Sequence, residues 1–287
     1  MPSFPAGNGC ALFYRDECFA DAWETPEPAL LLHGNAESGQ AWNAWMPLMG
    51  REFRVVRPDM RGFGASTPMP QDYAWSFDEL VADYVGLLDH LGLGAVHVVA
   101  AKVAGPIAMR MAALYPGRVK SLVLLGTLVS GATSLGDRHA SWVKKITEEG
   151  VEAWARWTMP GRLGSACPPA MLEGWSKLMG ATALSTQLGF MGGVPGLDVR
   201  GDLANIRAPT LVVNTDASGI DGMDATLAWQ RQIKGSELMI VPGDSYHVAA
   251  SHPGPCAAAT VEFTRRRGLA PMVGAPQARR AESEART

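Results

Sequence analysis

The sequence predicts an α/β protein, a mostly parallel sheet flanked by helices with a helical segment inserted between two of its strands. Three observations carry that expectation. Short apolar runs at residues 29–32, 53–56, 96–100, 119–125, 210–214 and 238–241 alternate with amphipathic stretches. Strands that alternate with helices pair in parallel and bury both faces of the sheet. Between residues 127 and 207 the pattern changes and no apolar strand occurs. Trp142, Val143, Ile146, Val151, Trp154, Trp157 and Met159 fall instead in helix-like windows, broken at Pro160-Gly161 and Pro168-Pro169. Finally, the run at 96–100 breaks at a turn of small residues. That turn opens directly into a helical pattern marked by Ile107, Met111 and Leu114.

Taken in order, residues 11–14 and 18–23 read as a hairpin around the charged Arg15-Asp16-Glu17. The run at 29–32 ends in His33-Gly34-Asn35. Trp42, Trp45 and Leu48 lie at helical spacing, and the strand at 53–56 is closed by the loop from Pro58 to Ser66. Ser76 with Glu79 three residues later is a capping box. Behind it, Phe77, Leu80, Val81, Tyr84, Leu87, Leu88 and Leu91 make one apolar stripe of a helix. After the strand at 210–214 come a helix at 224–233, the strand at 238–241, the turn from Pro242 to His247 and a last helix at 254–267. Residues 268–287 are rich in Ala, Pro and charge and are expected to be a disordered tail.

Composition excludes several functions. The chain has 287 residues, 47% hydrophobic and 18% charged, enough to build a sizeable core. A net charge of -3 gives no basic excess for nucleic acid. No apolar stretch approaches the ~20 residues of a membrane span. Cys10, Cys18, Cys167 and Cys256 lack metal-ligand or redox spacing and read as free thiols. The opening MPSFPAGNGC has no basic stretch followed by an apolar run, so a cytoplasmic protein is expected. No metal site, phosphate loop or dinucleotide fingerprint is visible, so the expected chemistry needs no cofactor. The expected partner is a small-molecule carbonyl compound, with a homodimer left open.

Four motifs, in this order, resemble the α/β-hydrolase superfamily: His33-Gly34 after a strand, Asp59-x-Arg61-Gly62-x-Gly64-x-Ser66, the turn at Lys102, and Gly243-x-x-x-His247 after the last strand. The layout is similar to that of 3-oxoadipate enol-lactonases and related hydrolases of small carbonyl compounds. The resemblance implies the α/β-hydrolase fold, with a core at 1–126 and 208–267 and a helical cap at 127–207. It also implies a triad of nucleophile, acid and histidine beside an oxyanion hole. The family's elbow, G-x-S-x-G, reads here Ala100-Ala101-Lys102-Val103-Ala104, with lysine where the serine belongs. His247 matches the family histidine, and His252 is a weaker rival. Counting from the strand at 210–214 puts Ser218 where the family has its acid, with Asp216 two residues earlier and Asp221 three later. The oxyanion donors would be the N–H of Val103 and that of Asn35 or Ala36.

Lys102 changes the chemistry. It sits at a helix N-terminus, which disfavours a cation, and a cap would desolvate it. Both effects favour a neutral amine, which can act as a base or form a Schiff base with a ketone. Against this, Glu37 or Asp216 can pair with the amine and hold it protonated. Three readings follow. One is an enzyme acting on a small carbonyl compound through Lys102 and His247, either by hydrolysis of an ester, lactone or β-dicarbonyl or by carbon–carbon cleavage or decarboxylation. The resemblance ranks hydrolysis ahead of lyase chemistry. Another is a catalytically silent protein that binds a small molecule. In the third, Ser38 or Ser245 takes over as nucleophile. Trp142 or Trp154 is expected to line the pocket.

Overall fold

The computed structural model describes residues 2–268. Eight strands form one sheet: β1 (Ser3–Pro5), β2 (Ala11–Glu17), β3 (Pro28–Leu32), β4 (Arg54–Pro58), β5 (Val96–Ala101), β6 (Val119–Leu125), β7 (Thr210–Thr215) and β8 (Glu237–Val241). Their order is β1-β2-β4-β3-β5-β6-β7-β8, and from β4 to β8 every pairing is parallel.

The central strands are buried on both faces, as apolar runs require. Leu30, Leu32, Val98, Ala100, Leu122 and Leu124 pack towards α2 (Phe77–His90) and α3 (Ala104–Leu114). The alternate residues Leu31, Val99, Ala101, Val123 and Leu125 join a second core with Trp42, Trp45 and residues of α1 (Met46–Glu52). Ser76 caps α2 by accepting the Glu79 N–H at 3.4 Å, and such a cap contributes about 1 kcal/mol. Glu79 does not reach back to close the box. Its carboxylate takes the Asn8 amide and the Tyr73 hydroxyl instead.

The first hairpin is a correction. Arg15, Asp16 and Glu17 are not a turn. They continue β2, opposite Arg57, Val56 and Val55 of β4 in an antiparallel pair. Asp16 pairs with Arg54 and Glu17 with Arg57, so the charges tie two strands together. The partner of β2 on its other side is β1, and the stretch at 18–23 forms no strand.

Between β6 and β7 the main elements are helical: α4 (Gly131–Leu135), α5 (Arg138–Leu163), α6 (Pro169–Gly180) and α7 (Leu184–Gly193). α5 kinks at Gly150, whose φ is 86°, and runs on through Pro160. The Pro160-Gly161 break expected from sequence is therefore absent. After β7 come α8 (Met223–Gln230), α9 (Val248–Ser251) and α10 (Pro253–Gly268). The expected tail lies, beyond Gly268, outside the described residues.

Open parallel sheets bind their ligands outside the carboxyl ends of their strands. Here those ends deliver His33-Gly34 after β3, Lys102 after β5, Asp216 after β7 and the loop to His247 after β8.

Candidate active site

The turn after β5 holds Lys102 at φ 52°, in the left-handed region that a non-glycine residue enters only at a cost of about 1–3 kcal/mol. Three bonds hold it there. Its N–H donates to Leu125 O at 3.0 Å, and its carbonyl accepts Gly105 N at 2.9 Å and Thr127 Oγ1 at 2.8 Å. The apex geometry of an elbow is thus kept, with a lysine upon it.

The Lys102 side chain crosses Gly34 to reach Glu37. A Cβ on Gly34 would lie 2.4 Å from Lys102 Cε, so only glycine leaves this path open. Ala36, at φ 58°, bends the loop so that Glu37 folds back over it. Glu37 Oε1 accepts from Lys102 Nζ and lies 3.1 Å from His247 Nε2, while Oε2 accepts the Gly34 N–H at 2.9 Å. All three side chains are buried. Glu37 therefore lies in one row between Lys102, to which it is bonded, and His247, which it only approaches.

The charges follow from burial. Desolvation pushes the Lys102 ammonium down to about 8, against the pull of Glu37 and with help from Arg162. Burial also lowers His247, and Lys102 beside it adds to the effect, leaving a pKa of about 4 and a neutral imidazole at pH 7. Burial pushes the Glu37 carboxyl up, but Lys102 and then His247 pull harder and hold it well below the usual carboxylate range. At pH 7 the row is an ammonium, a carboxylate and a neutral imidazole. The expectation of a largely neutral Lys102 is corrected: the Glu37 ion pair keeps most of it charged.

The expected acid is also corrected. Asp216 is exposed, and its carboxylate accepts the Gly243 N–H at 2.8 Å. Ser218 donates to Ile220 O within its own loop at 2.6 Å. Neither reaches His247, and neither ring nitrogen of His247 has a hydrogen-bond partner, Nε2 standing near Glu37 Oε1 without hydrogen-bond geometry. His252 is bonded to Ser251 at 2.8 Å. The rival serines are structural. Ser38 caps a short helical turn by accepting the Gln40 N–H, and Ser245 holds the histidine loop through Arg162 O and the His247 N–H.

A cavity of about 50 Å³ opens above Lys102. Asn35, Val103 and Trp142 line it, as do Arg162 and Tyr246, which sequence reasoning missed. Trp154 is buried behind this wall, where its ring and that of Trp142 flank the Arg162 guanidinium. Trp175 of α6 packs edge-on to His247 at 5.0 Å. The backbone N–H groups of Asn35, Ala36 and Val103 take no protein acceptor among the described residues. On its other side Glu37 borders a second cavity, of about 560 Å³, beside Arg15 and Asp59. Among the described residues no group of three or more His, Cys, Asp or Glu is placed to hold a metal ion, and no helix is long and apolar enough to cross a membrane.

Known proteins share this architecture. A family model described as the alpha/beta hydrolase fold matches residues 28–150. An enol-lactonase from Burkholderia xenovorans superposes with a TM-score of 0.81 at 19% identity, covering 92% of this chain and 100% of its own. The chain has the α/β-hydrolase fold. A hydrolase from Pseudomonas aeruginosa gives a TM-score of 0.79 at 24% identity, over 91% of this chain and 97% of its own. Among curated relatives of this hydrolase-fold chain, the 2-hydroxy-6-oxo-2,4-heptadienoate hydrolase of Pseudomonas putida is 36% identical over 104 residues, 35% of this chain and 37% of that protein. The match thus spans little more than a third of that relative. A non-heme chloroperoxidase of Kitasatospora aureofaciens is 27% identical over 267 residues, 87% of this chain and 93% of its own.

Proposed function

We propose that this hydrolase-fold protein is a cofactor-independent enzyme acting on a small keto compound, which it cleaves at a carbon–carbon bond or decarboxylates through an imine on Lys102. The observation that carries this reading is the buried row Lys102–Glu37–His247 beneath an apolar-walled cavity, at the apex of an intact elbow. With a pKa of about 8, about a tenth of Lys102 is neutral amine at pH 7. Glu37 takes the proton that the ammonium must lose and holds it for the dehydration step.

The amine nitrogen bonds to the carbonyl carbon, and the carbonyl pair moves to oxygen, towards the free N–H groups of Val103 and of Asn35 or Ala36. That oxygen takes two protons, one from the attacking nitrogen and one returned by Glu37, and leaves as water, giving an iminium. The pair of the bond between the carbons α and β to the iminium moves into the iminium to form an enamine, and the β fragment leaves as carbon dioxide from a carboxylate or, where it bears a hydroxyl whose proton His247 takes, as a carbonyl compound. Protonation of the enamine carbon regenerates an iminium. Water, with His247 as base, then hydrolyses it, releasing the product ketone and Lys102.

Imine chemistry is favoured over ester or lactone hydrolysis on Lys102 by leaving-group chemistry. An ester would transfer its acyl group to the amine as an amide, which hydrolyses far more slowly than the acyl ester on a serine. The expected result with p-nitrophenyl acetate is at most one equivalent of nitrophenolate, then arrest, with the acetyl group on Lys102 by peptide mass spectrometry. Sustained turnover would make the protein an esterase and remove the imine reading. The two unpartnered ring nitrogens of His247 favour a second reading, a non-catalytic binder of small molecules, in which Lys102 resists acylation altogether.

A further inference from the structure

The cavity wall contains a cation that the Lys102 reaction does not use. Arg162, at the end of α5, is 3% exposed. Its guanidinium is held by aromatic rings, with Cζ 4.7 Å from the centroid of Trp154, 5.3 Å from Trp142 and 5.6 Å from Tyr246. Nε donates to Thr158 Oγ1 at 3.0 Å, while Nη2 is buried with no partner, and so is the hydroxyl of Tyr246 on the same wall. No carboxylate of the described residues forms an ion pair with Arg162. The buried carboxylate nearby, Glu37, is already shared by Lys102 and His247. The enclosed charges are therefore two cations, Lys102 and Arg162, one anion, Glu37, and a neutral imidazole. A buried charge left without a counter-ion is costly, and aromatic faces compensate a guanidinium only in part.

We infer that Arg162 and Tyr246 form the seat for a carboxylate, so that the ligand of this cavity is a small organic acid anion rather than a neutral carbonyl compound. Arg162 Nη2 and the Tyr246 hydroxyl are two unused donors on one wall, as a carboxylate requires. The rings hold the guanidinium in place before the ligand arrives, which lowers the ordering cost of binding. A carboxylate held here balances the charge of the site and leaves Lys102 facing the rest of the ligand. For the proposed enzyme, the substrate class narrows to keto acids. The inference rests on reading this cavity as the ligand site and does not need the lysine to react.

The test is a titration of the full-length protein at pH 7 with sodium pyruvate and with its neutral ester, methyl pyruvate, followed by calorimetry and by the fluorescence of the flanking tryptophans. Pyruvate is expected to bind at least 10-fold more tightly than the ester. Arg162→Gln should lose at least 10-fold in pyruvate affinity and leave the ester unaffected. Arg162→Lys, which keeps the charge without the fork, should fall between, and it carries the test if the glutamine variant fails to fold. Lys102→Met removes the other cation of the cavity and should weaken pyruvate binding less than Arg162→Gln does, so that failure of the lysine chemistry and failure of the carboxylate seat are separate results. Equal binding of pyruvate and its ester, or pyruvate affinity lost with Lys102→Met and kept with Arg162→Gln, would overturn the inference.

Discussion

Replacing Lys102 by methionine is expected to lower the rate of carbon–carbon cleavage by about 10³-fold or more, the scale seen when a nucleophile is removed and binding groups remain. Methionine fills the path over Gly34 without an amine, so the loss reports chemistry rather than packing. The rate is to be measured on the keto acid that the wild type turns over fastest. A second consequence has a fixed sign. Lys102 is, after burial, the largest influence holding His247 down at about 4. Without it, Glu37 pulls the imidazole up against burial and Arg162 only, and the His247 pKa should rise, as followed by imidazole NMR through a pH titration. Wild-type turnover by Lys102→Met would exclude lysine catalysis.

The other large effect is expected at Glu37. Glu37→Gln keeps the size and an oxygen for the Gly34 N–H, but it leaves the Lys102 ammonium buried without a counter-ion. Breaking a buried pair from one side costs about 3–5 kcal/mol, so chemical denaturation at pH 7 should show a loss on that scale. The pH dependence follows from the Lys102 pKa. In the folded protein it lies at about 8, below its value of 10.5 in an unfolded chain. The unfolded state therefore binds more protons between these values, and the lysine's contribution to stability rises with pH across that window. Glu37→Gln lowers the folded pKa further and opens the window at a lower pH. Above about 8 the wild-type lysine is neutral as well, so the lysine's share of the deficit should shrink as the pH is raised through that value. A deficit that does not change with pH would mean that Glu37 acts through packing alone.

The legible parts of this molecule were the local ones. The central strands are continuous apolar runs, and the turn at Lys102 is defined by five adjacent residues, so both could be read directly. β2 was misread because Arg15-Asp16-Glu17 carries the charge of a turn. Near the sheet edge those charges find partners across the strand pair, and polarity alone does not separate the two cases. The site was legible as far as Lys102 and His247, which sit at strand ends. Its acid was sought on the loop after β7, by counting, and that loop points Asp216 outwards and closes Ser218 on itself. Glu37 was singled out as an ion-pair partner, but its place between Lys102 and His247 depends on the backbone reversal at Ala36 and the missing side chain of Gly34. Arg162 gave little warning. Pro160-Gly161 read as the end of a helix, and the rings that hold the guanidinium come from residues 142, 154 and 246. One signal was present, a lone arginine in the otherwise uncharged stretch from Trp157 to Gly164.

The central claim is that Lys102 forms a covalent bond to a carbonyl carbon, and reductive trapping addresses it most directly. The full-length protein is incubated with pyruvate and a panel of other keto acids and ketones in the presence of sodium borohydride, then digested and read by peptide mass spectrometry. The expected result is a reduced adduct on Lys102, absent from Lys102→Met, with a yield that rises as the pH passes through about 8 and the amine loses its proton. Adducts spread over exposed lysines such as Lys144 and Lys177, with Lys102 unmodified at every pH, would contradict the account.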